Sequence, residues 1–210
     1  MTRILIADNH PLFRLALAQA VRSLDHQVEL IEADRVESAR QHLLAQSDID
    51  LVLLDLHMPG SHGLMALVAL RAEFPAVAIV MICAHDDPAV IRRALTCGAA
   101  GFIPKRSSLG ELQESLRTVL ACEYPSTDAL LDDRERKDNA EDIELAARLA
   151  SLSPQQLRAP GLVAEGLLNK QIADRLDMQE RTVKAHMSAV FERLGVRNRT
   201  QASMLLRSLE

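Results

Sequence analysis

The stretch Leu51-Val-Leu-Leu-Asp55-Leu-His-Met-Pro-Gly60 decides the fold, because four aliphatic residues run directly into a carboxylate and a Pro-Gly pair then breaks the pattern. A continuous apolar run bounded by turn residues predicts a strand that is buried on both faces of a parallel sheet. Asp55 then lies at the carboxyl end of the strand, which is the edge of an open α/β sheet where ligands bind. Taken alone, a carboxylate there is a metal ligand, a nucleophile or a helix cap.

Apolar strand patterns alternate with helical patterns on both sides of this stretch. The predicted strands are 3–7, 28–33, 51–55, 76–84 and 101–104, and the predicted helices begin at residues 11, 36, 63, 88 and 108. Such alternation predicts a five-stranded parallel sheet, doubly wound as in flavodoxin-like folds, with helices on both faces.

Polar side chains follow four of these strands at the same edge of the sheet: Asp8 with Asn9, Asp55, Cys83 and Lys105. Two carboxylates and an amide are suitable ligands for Mg²⁺, which completes its shell with water and phosphate oxygens. Lys105 adds a positive charge for an anion. An acidic metal site with one lysine suits phosphoryl transfer, where charge on the equatorial oxygens must be neutralised.

Composition excludes several classes of protein. One Tyr, four Phe and no Trp argue against a single-strand binder that stacks bases on aromatic rings. Three widely spaced cysteines form no disulfide or zinc pattern and suit a reducing cytoplasm. Asp8 comes too early for a signal peptide, and no apolar run approaches the roughly 20 residues of a membrane helix.

Charge differs between the two ends of the chain. Residues 151–210 carry nine Lys and Arg against six Asp and Glu, whereas the remainder carries 15 against 23. An acidic first part and a mildly basic last part predict different partners for the two. The basic excess is too small to establish nucleic-acid binding by itself.

The last part of the chain has an all-helical pattern. Ser153-Pro-Gln-Gln156 is a capping box, and Asn169 is predicted to cap a short helix that ends at the turn 177–179. A longer helix over 181–194 follows and stops at Gly195, and its predicted buried stripe is Val183, Met187, Val190 and Leu194. Asn198 is predicted to cap a last helix, Arg199–Leu209. A short helix, a tight turn and a longer helix predict a helix-turn-helix, whose second helix enters a major groove. We predict domains of 1–121 and 151–210, joined by a charged, turn-rich and partly helical linker, 122–150.

Both parts of the chain resemble one known family. Residues 1–121 resemble a two-component receiver domain in Asp8, Asp55, Met58-Pro59-Gly60, Gly98-Ala99-Ala100-Gly101-Phe102 and Pro104-Lys105. The last part resembles the FixJ/LuxR-type DNA-binding domain in Leu162-Val-Ala-Glu-Gly166, Asn169-Lys-Gln-Ile-Ala173, Thr182-Val-Lys184, His186 and Leu194-Gly-Val. Together they resemble a NarL/FixJ-family response regulator.

The resemblance implies roles for individual residues. Asp55 would accept a phosphoryl group from a sensor histidine kinase. The Mg²⁺ ligands would be Asp8, Asn9, Asp55 and the backbone carbonyl of His57, and the phosphoryl-binding and switch residues would be Cys83, Phe102 and Lys105. The DNA-binding residues would be Lys170, Arg181, Thr182, Lys184, Ala185 and Ser188. The family binds double-stranded promoter DNA as a homodimer, and Met204 is a candidate partner contact.

Several positions depart from the family pattern. Asn9 replaces a second acid, so the site should hold Mg²⁺ more weakly. Cys83 replaces a Ser or Thr, and a thiol is a poor hydrogen-bond donor, so Cys83 is either a phosphoryl contact or a small core residue. His57 and His85 either tune acyl-phosphate lifetime or are solvated loop residues. Pro160 falls where the first helix of the last domain should continue, which predicts a kink or a displacement.

Three functions remain open at this point. The first is a regulator whose DNA binding is controlled by phosphorylation of Asp55, with the acidic receiver covering the basic recognition helix in the resting state. The second is an atypical regulator that binds DNA largely independently of phosphate, which Asn9 and Cys83 suggest. The third is a phosphatase with an aspartyl phosphate intermediate, but His57 stands where that enzyme class needs a second Asp. We therefore predict a regulator and not an enzyme.

Overall fold

The computed structural model describes residues 2–24, 26–59, 63–84, 87–121, 144–145, 147–149, 151–153, 156, 160, 162–163 and 166–207. Within these residues, an α/β unit precedes a helical unit. No helix in the described part of the chain combines the length and the apolar character that crossing a bilayer requires.

The α/β unit is the predicted five-stranded parallel sheet with helices between the strands. Its elements are β1 Arg3–Ala7, α1 Pro11–Leu24, β2 Glu29–Ala33, α2 Val36–Ala45, β3 Leu51–Asp55, α3 Met65–Glu73, β4 Ala78–Cys83, α4 Pro88–Thr96, β5 Gly101–Pro104 and α5 Leu109–Leu120. The strand order is β2-β1-β3-β4-β5, with every pair parallel. The fold class predicted from the sequence is therefore confirmed.

Strand β3 lies at the centre of this sheet, and all five of its residues are buried. Its register places Leu54 beside Ala7 of β1 and Asp55 beside Ile82 of β4. Because these strands run in the same direction, the residues that follow them emerge at one edge. The polar residues at the ends of β1, β3 and β4 are thus brought together by strand pairing alone.

Helix α1 has leucines on two faces, and only one of these faces packs against the sheet. Leu12 and Leu15 are 84% and 54% exposed, while Leu17 and Val21 are buried against the sheet. The helix carries apolar residues around most of its circumference, so spacing alone does not decide which stripe faces the core. Leu44 of α2 is likewise exposed, whereas its neighbour Leu43 is buried.

The helical unit contains the predicted helix-turn-helix. Its elements are α6 Asn169–Leu176, α7 Glu180–Leu194 and α8 Arg199–Arg207. The buried stripe of α7 is the predicted one: Val183, Met187, Val190 and Leu194. Asp177 adopts a left-handed φ of 52° at the end of α6, which produces the sharp turn.

Two helix caps are those predicted from the sequence, and a third differs. Ser153 and Gln156 exchange backbone-to-side-chain hydrogen bonds as a capping box, and Asn198 accepts from the Gln201 N–H at 2.9 Å. The prediction that Asn169 caps α6 is wrong, because Leu168 holds the cap position and Asn169 is the first helical residue. The Asn169 side chain instead lies 3.4 Å from an Arg199 nitrogen.

Some predicted features fall on residues outside the description. They include Gly60, His85, most of the linker, Leu209 and the neighbours of Pro160 at 157–159 and 161. Pro160 itself is helical and buried, and the described linker residues 144–145 and 147–149 are helical.

One apolar cluster joins the two units, and we call it the shared cluster. Met65 and Val68 of α3, each 4% exposed, belong to it together with Leu149, Leu152 and the buried stripe of α7. The face that was expected to be covered by the receiver is open in this structure, since Arg181, Lys184 and Ser188 are exposed. The contact between the units is therefore apolar and does not involve the basic face of α7.

Gly195 ends α7 and offers a stability test. Its φ is +70°, and a Cβ added there would lie 2.9 Å from the Arg148 guanidinium, which donates to the Leu194 carbonyl. We expect Gly195→Ala to lower the free energy of unfolding by about 2 kcal/mol, through left-handed strain and the displaced hydrogen bond. Because the chain has no Trp, urea unfolding would be followed by circular dichroism.

Gly166 is the matched control for this substitution. Its φ is +84°, but a Cβ there meets nothing within 4 Å. Gly166→Ala should therefore show the backbone strain alone, about 1 kcal/mol. An equal loss of unfolding free energy in both variants would show that the side chain of Arg148 can be displaced without further loss of stability.

Candidate functional site

Two buried carboxylates lie at the carboxyl edge of the sheet, and one of them, Asp55, lines a cleft. Asp8 follows β1 and is fully buried, and Asp55 ends β3 and is 1% exposed. The cleft above them has a volume of about 600 Å³, and its walls include His10, Phe13, His57, Ala84 and Lys105. The structure thus brings together the acidic residues and the lysine that the sequence placed at strand ends.

Lys105 neutralises both carboxylates from one side. Its Nζ lies 2.7 Å from Asp8 Oδ2 and 2.8 Å from Asp55 Oδ2, and its side chain is 14% exposed. Both oxygens are buried, and the ion pair with Lys105 is their contact of opposite charge among the described residues. The Lys105 backbone N–H donates to the Cys83 carbonyl, and Nζ lies 5.1 Å from the centre of the Phe13 ring. These contacts fix a positive charge where an anion bound to Asp55 would lie.

The other oxygen of Asp55 is held by the loop that follows β3. The His57 backbone N–H donates to Asp55 Oδ1 at 3.2 Å, while the His57 side chain is exposed. This bond orients the carboxylate so that Oδ2 faces the cleft and Lys105. Asp55 therefore has one oxygen held by the backbone and one beside Lys105, and its carboxylate lies at the lining of the cleft.

The donor set suits a hard divalent cation. Asp8 Oδ2, Asp55 Oδ2 and Asn9 Oδ1 are buried oxygens for which the described residues provide no hydrogen bond. Lys105 supplies one positive charge for two buried carboxylates, so one negative charge is left for a cation to compensate. Carboxylate and amide oxygens are also the ligands that Mg²⁺ accepts, so these residues fit the expected metal.

Restoring an acid at position 9 should strengthen metal binding. Asn9→Asp adds a negative charge beside Asp8 and Asp55, so we expect the Kd for Mg²⁺ to fall about tenfold. Isothermal titration calorimetry of the full chain would measure it, with Asn9→Ala as the opposite control, which loses the amide oxygen and should bind more weakly. Equal affinities in all three proteins would show that position 9 does not face the metal.

Cys83 and Phe102 lie in the core beneath the cleft. They are 2% and 4% exposed and belong to the same apolar cluster. Ala84, and not Cys83, is the residue of that strand end that lines the described part of the cleft. This arrangement favours the interpretation of Cys83 as a small core residue.

Two residues near the site were not singled out from the sequence. The His10 ring lies over the carboxylates, with Nδ1 3.1 Å from Asp8 Oδ1, and Arg14 donates to the Asp8 carbonyl at 2.7 Å. Arg14 also pairs with Glu32 at 3.0 Å. His10 immediately follows the polar pair that ends β1, and this position was the available signal.

A second candidate site is the outer face of α7. The residues predicted to contact DNA are exposed at Lys170, Arg181, Lys184, Ala185 and Ser188 and partly buried at Thr182. Lys184 pairs with Glu180 at 3.1 Å, and both side chains are largely solvated. An exposed pair of this kind contributes little stability, so the lysine is available to exchange Glu180 for another anion.

Comparison with known proteins identifies both units. A model of the response regulator receiver domain matches residues 4–117, and a model of the luxR family of bacterial regulatory proteins matches residues 150–206. The chain is 38% identical over 206 residues to the glycerol metabolism activator of Pseudomonas putida, covering 96% of this chain and 93% of that protein. It is 31% identical over 202 residues to the nitrate/nitrite response regulator protein NarL of Escherichia coli K12, covering 96% and 93%.

Among solved structures, RcsB from Salmonella enterica serovar Typhimurium, bound to promoter rprA in the presence of phosphomimetic BeF₃⁻, has a TM-score of 0.54 and 22% identity. The match covers 99% of this chain and 97% of that one, and it supports the fold. A receiver domain followed by a luxR-type unit defines a response regulator. The chain belongs to the NarL/FixJ family of two-component response regulators.

Proposed function

We propose that phosphorylation of Asp55 controls sequence-specific binding of this protein to promoter DNA. The observation that carries the proposal is the position of Asp55 Oδ2, a buried oxygen without a hydrogen bond that faces a cleft 2.8 Å from the Lys105 ammonium. A carboxylate at the lining of a cleft, beside a fixed positive charge, is the arrangement that phosphoryl transfer needs.

Each residue of the cleft would have a different role in phosphoryl transfer. Asp55 Oδ2 would form the bond to phosphorus as the bond to the leaving oxygen of the donor breaks, and Lys105 would pair with a phosphoryl oxygen. Asp8, Asn9, Asp55 and the His57 carbonyl would hold Mg²⁺, which supplies charge neutralisation on the phosphoryl oxygens when bound. Phe102, buried in the same apolar cluster as Cys83, would shift when the end of β4 moves.

DNA binding is proposed for the exposed face of α7. In a helix-turn-helix the second helix enters the major groove, and Arg181, Lys184 and Ser188 lie on its solvent face. Lys170, Thr182 and Ala185 complete the proposed contact set. RcsB has been solved as two dimers bound to two parallel DNAs. We propose a homodimer on DNA here too, and Met204, which is 68% exposed on α8, is available for a partner contact.

The remaining assignments follow from the same proposal. The partner of the receiver would be a sensor histidine kinase, and the cysteine usage supports a cytoplasmic location. The proposed domains are 1–121 and 151–210, with 122–150 as the linker.

The test compares the DNA affinity of the phosphorylated and unmodified full chain. Acetyl phosphate and Mg²⁺ would load the protein, mass spectrometry would verify the adduct, and binding to a selected duplex site would then be titrated. We expect the phosphorylated chain to bind more tightly. A chain that takes up phosphate but binds DNA equally in both states would contradict control by phosphorylation.

The alternative is a regulator that binds DNA largely independently of phosphate. Its support is Asn9, which removes a negative charge from the metal site, and Cys83, which lies in the core without a hydroxyl. A full chain that takes up no phosphoryl group but still binds its DNA site would favour this alternative.

A further inference from the structure

The cleft contains an imidazole that the proposed transfer does not use. His10 Nδ1 lies 3.2 Å from Lys105 Nζ and 3.9 Å from Asp55 Oδ2. The His10 backbone N–H donates to Asp8 Oδ1 at 2.7 Å, which fixes the start of the side chain at the end of β1. The ring therefore lies beside the same carboxylate oxygen as the lysine, and it approaches from the β1 side.

The opposite side of the cleft offers no comparable donor among the described residues. Ala84 lines it, and the Cys83 thiol lies in the core and is a poor donor in any case. Of the basic side chains that the structure describes, Lys105 and His10 are the two with a nitrogen within 4 Å of Asp55 Oδ2. A phosphoryl group on that oxygen would thus meet Lys105 and His10.

We propose that His10 is a phosphoryl-binding residue, which donates a hydrogen bond to an oxygen of the group carried by Asp55. The proposal rests on the proposed function, since it requires phosphorylation at that carboxylate. A neutral imidazole carries one N–H. With the proton on Nδ1, this N–H faces Asp8 Oδ1 at 3.1 Å, and it would exchange that oxygen for a phosphoryl oxygen while Lys105 pairs with a second one. His10 makes and breaks no bond in the transfer, and no proton leaves it.

Beryllium fluoride, a stand-in for the phosphoryl group, is the probe for this contact. Its affinity for the full chain in saturating Mg²⁺ would be measured by ¹⁹F NMR. We expect His10→Ala to weaken it about tenfold, the effect of losing one hydrogen bond to a charged group. His10→Asn should retain most of the affinity, because its amide keeps an N–H at a similar distance from the backbone.

Two controls separate this role from others. His26→Ala removes an exposed imidazole from the turn before β2 and should bind the probe like the unmodified chain. Mg²⁺ affinity without the probe should be the same in His10→Ala and in the unmodified chain. The His10 side chain is 63% exposed, so the substitution should leave the fold intact, which circular dichroism would check.

The outcomes distinguish the two proposals. Unchanged probe affinity in His10→Ala would overturn the role of His10 and leave phosphorylation of Asp55 in place. A loss of Mg²⁺ affinity equal to the loss of probe affinity would also overturn it, since His10 would then act on the metal. If the unmodified chain neither binds the probe nor takes up phosphate, both proposals fail.

Discussion

Replacing Asp55 with Asn is expected to abolish phosphoryl uptake by the chain. The amide has no anionic oxygen to attack phosphorus, and Lys105 would lose one of the two carboxylates that fix its ammonium. Intact-mass measurement after incubation with acetyl phosphate and Mg²⁺ should show a singly modified chain for the unmodified sequence and no adduct for Asp55→Asn.

Asp50 provides a matched control immediately before the same strand. It is exposed at the opposite edge of the sheet, where its carboxylate accepts from the Arg3 backbone N–H at 2.9 Å. Asp50→Asn makes the same chemical change far from Lys105, so its phosphoryl uptake should equal that of the unmodified chain. An adduct that persists in Asp55→Asn would show that another side chain is the acceptor.

The second large effect concerns DNA. Removing Arg181 and Lys184 together should weaken binding to a selected duplex by about 100-fold, because each contact is expected to be worth about 1–3 kcal/mol if it reaches a base edge. If Lys184 contacts a phosphate instead, its loss should weaken all sequences alike and lower the salt slope by about 1. Titrations at several salt concentrations on the selected duplex and on a scrambled one would separate the two cases.

The control for lost charge is Arg117→Ala. Arg117 is exposed on α5 and pairs with Glu114 one turn away, so its removal lowers the net charge by one unit without touching α7, which matches the charge lost in each single variant of Arg181 or Lys184. DNA affinity should stay within a factor of about two. Unchanged affinity after removal of both Arg181 and Lys184 would place the recognition surface elsewhere on the chain.

The fold and most of the candidate site could be predicted because they depend on local patterns and one topological rule. The apolar run before Asp55 predicts a buried central strand, and parallel pairing then brings the ends of β1, β3 and β4 to one edge. Asp8, Asp55 and Lys105 could therefore be grouped before any contact was known. The buried stripe of α7 could also be predicted, because the opposite face of this helix is polar and only one face is apolar enough to pack against the core.

The remaining features depend on packing that the sequence does not encode locally. Helix α1 has apolar residues on two sides, and the sheet covers the side with Leu17 and Val21 and leaves Leu12 in solvent. His10 was missed because an exposed histidine after a strand carries no periodic signal. The cap of α6 was misplaced by one residue, because a side-chain amide is a common cap and Leu168 is not.

The shared cluster has a practical consequence for dividing the protein into fragments. Met65 and Val68 are 4% exposed and belong to one apolar cluster with Leu149, Leu152 and residues of α7. A receiver fragment ending at residue 121 would present this apolar patch of α3 to water, and the helical fragment would present its counterpart. Each fragment should self-associate or lose solubility relative to the full chain, so isolated domains would underreport the affinities of the intact regulator.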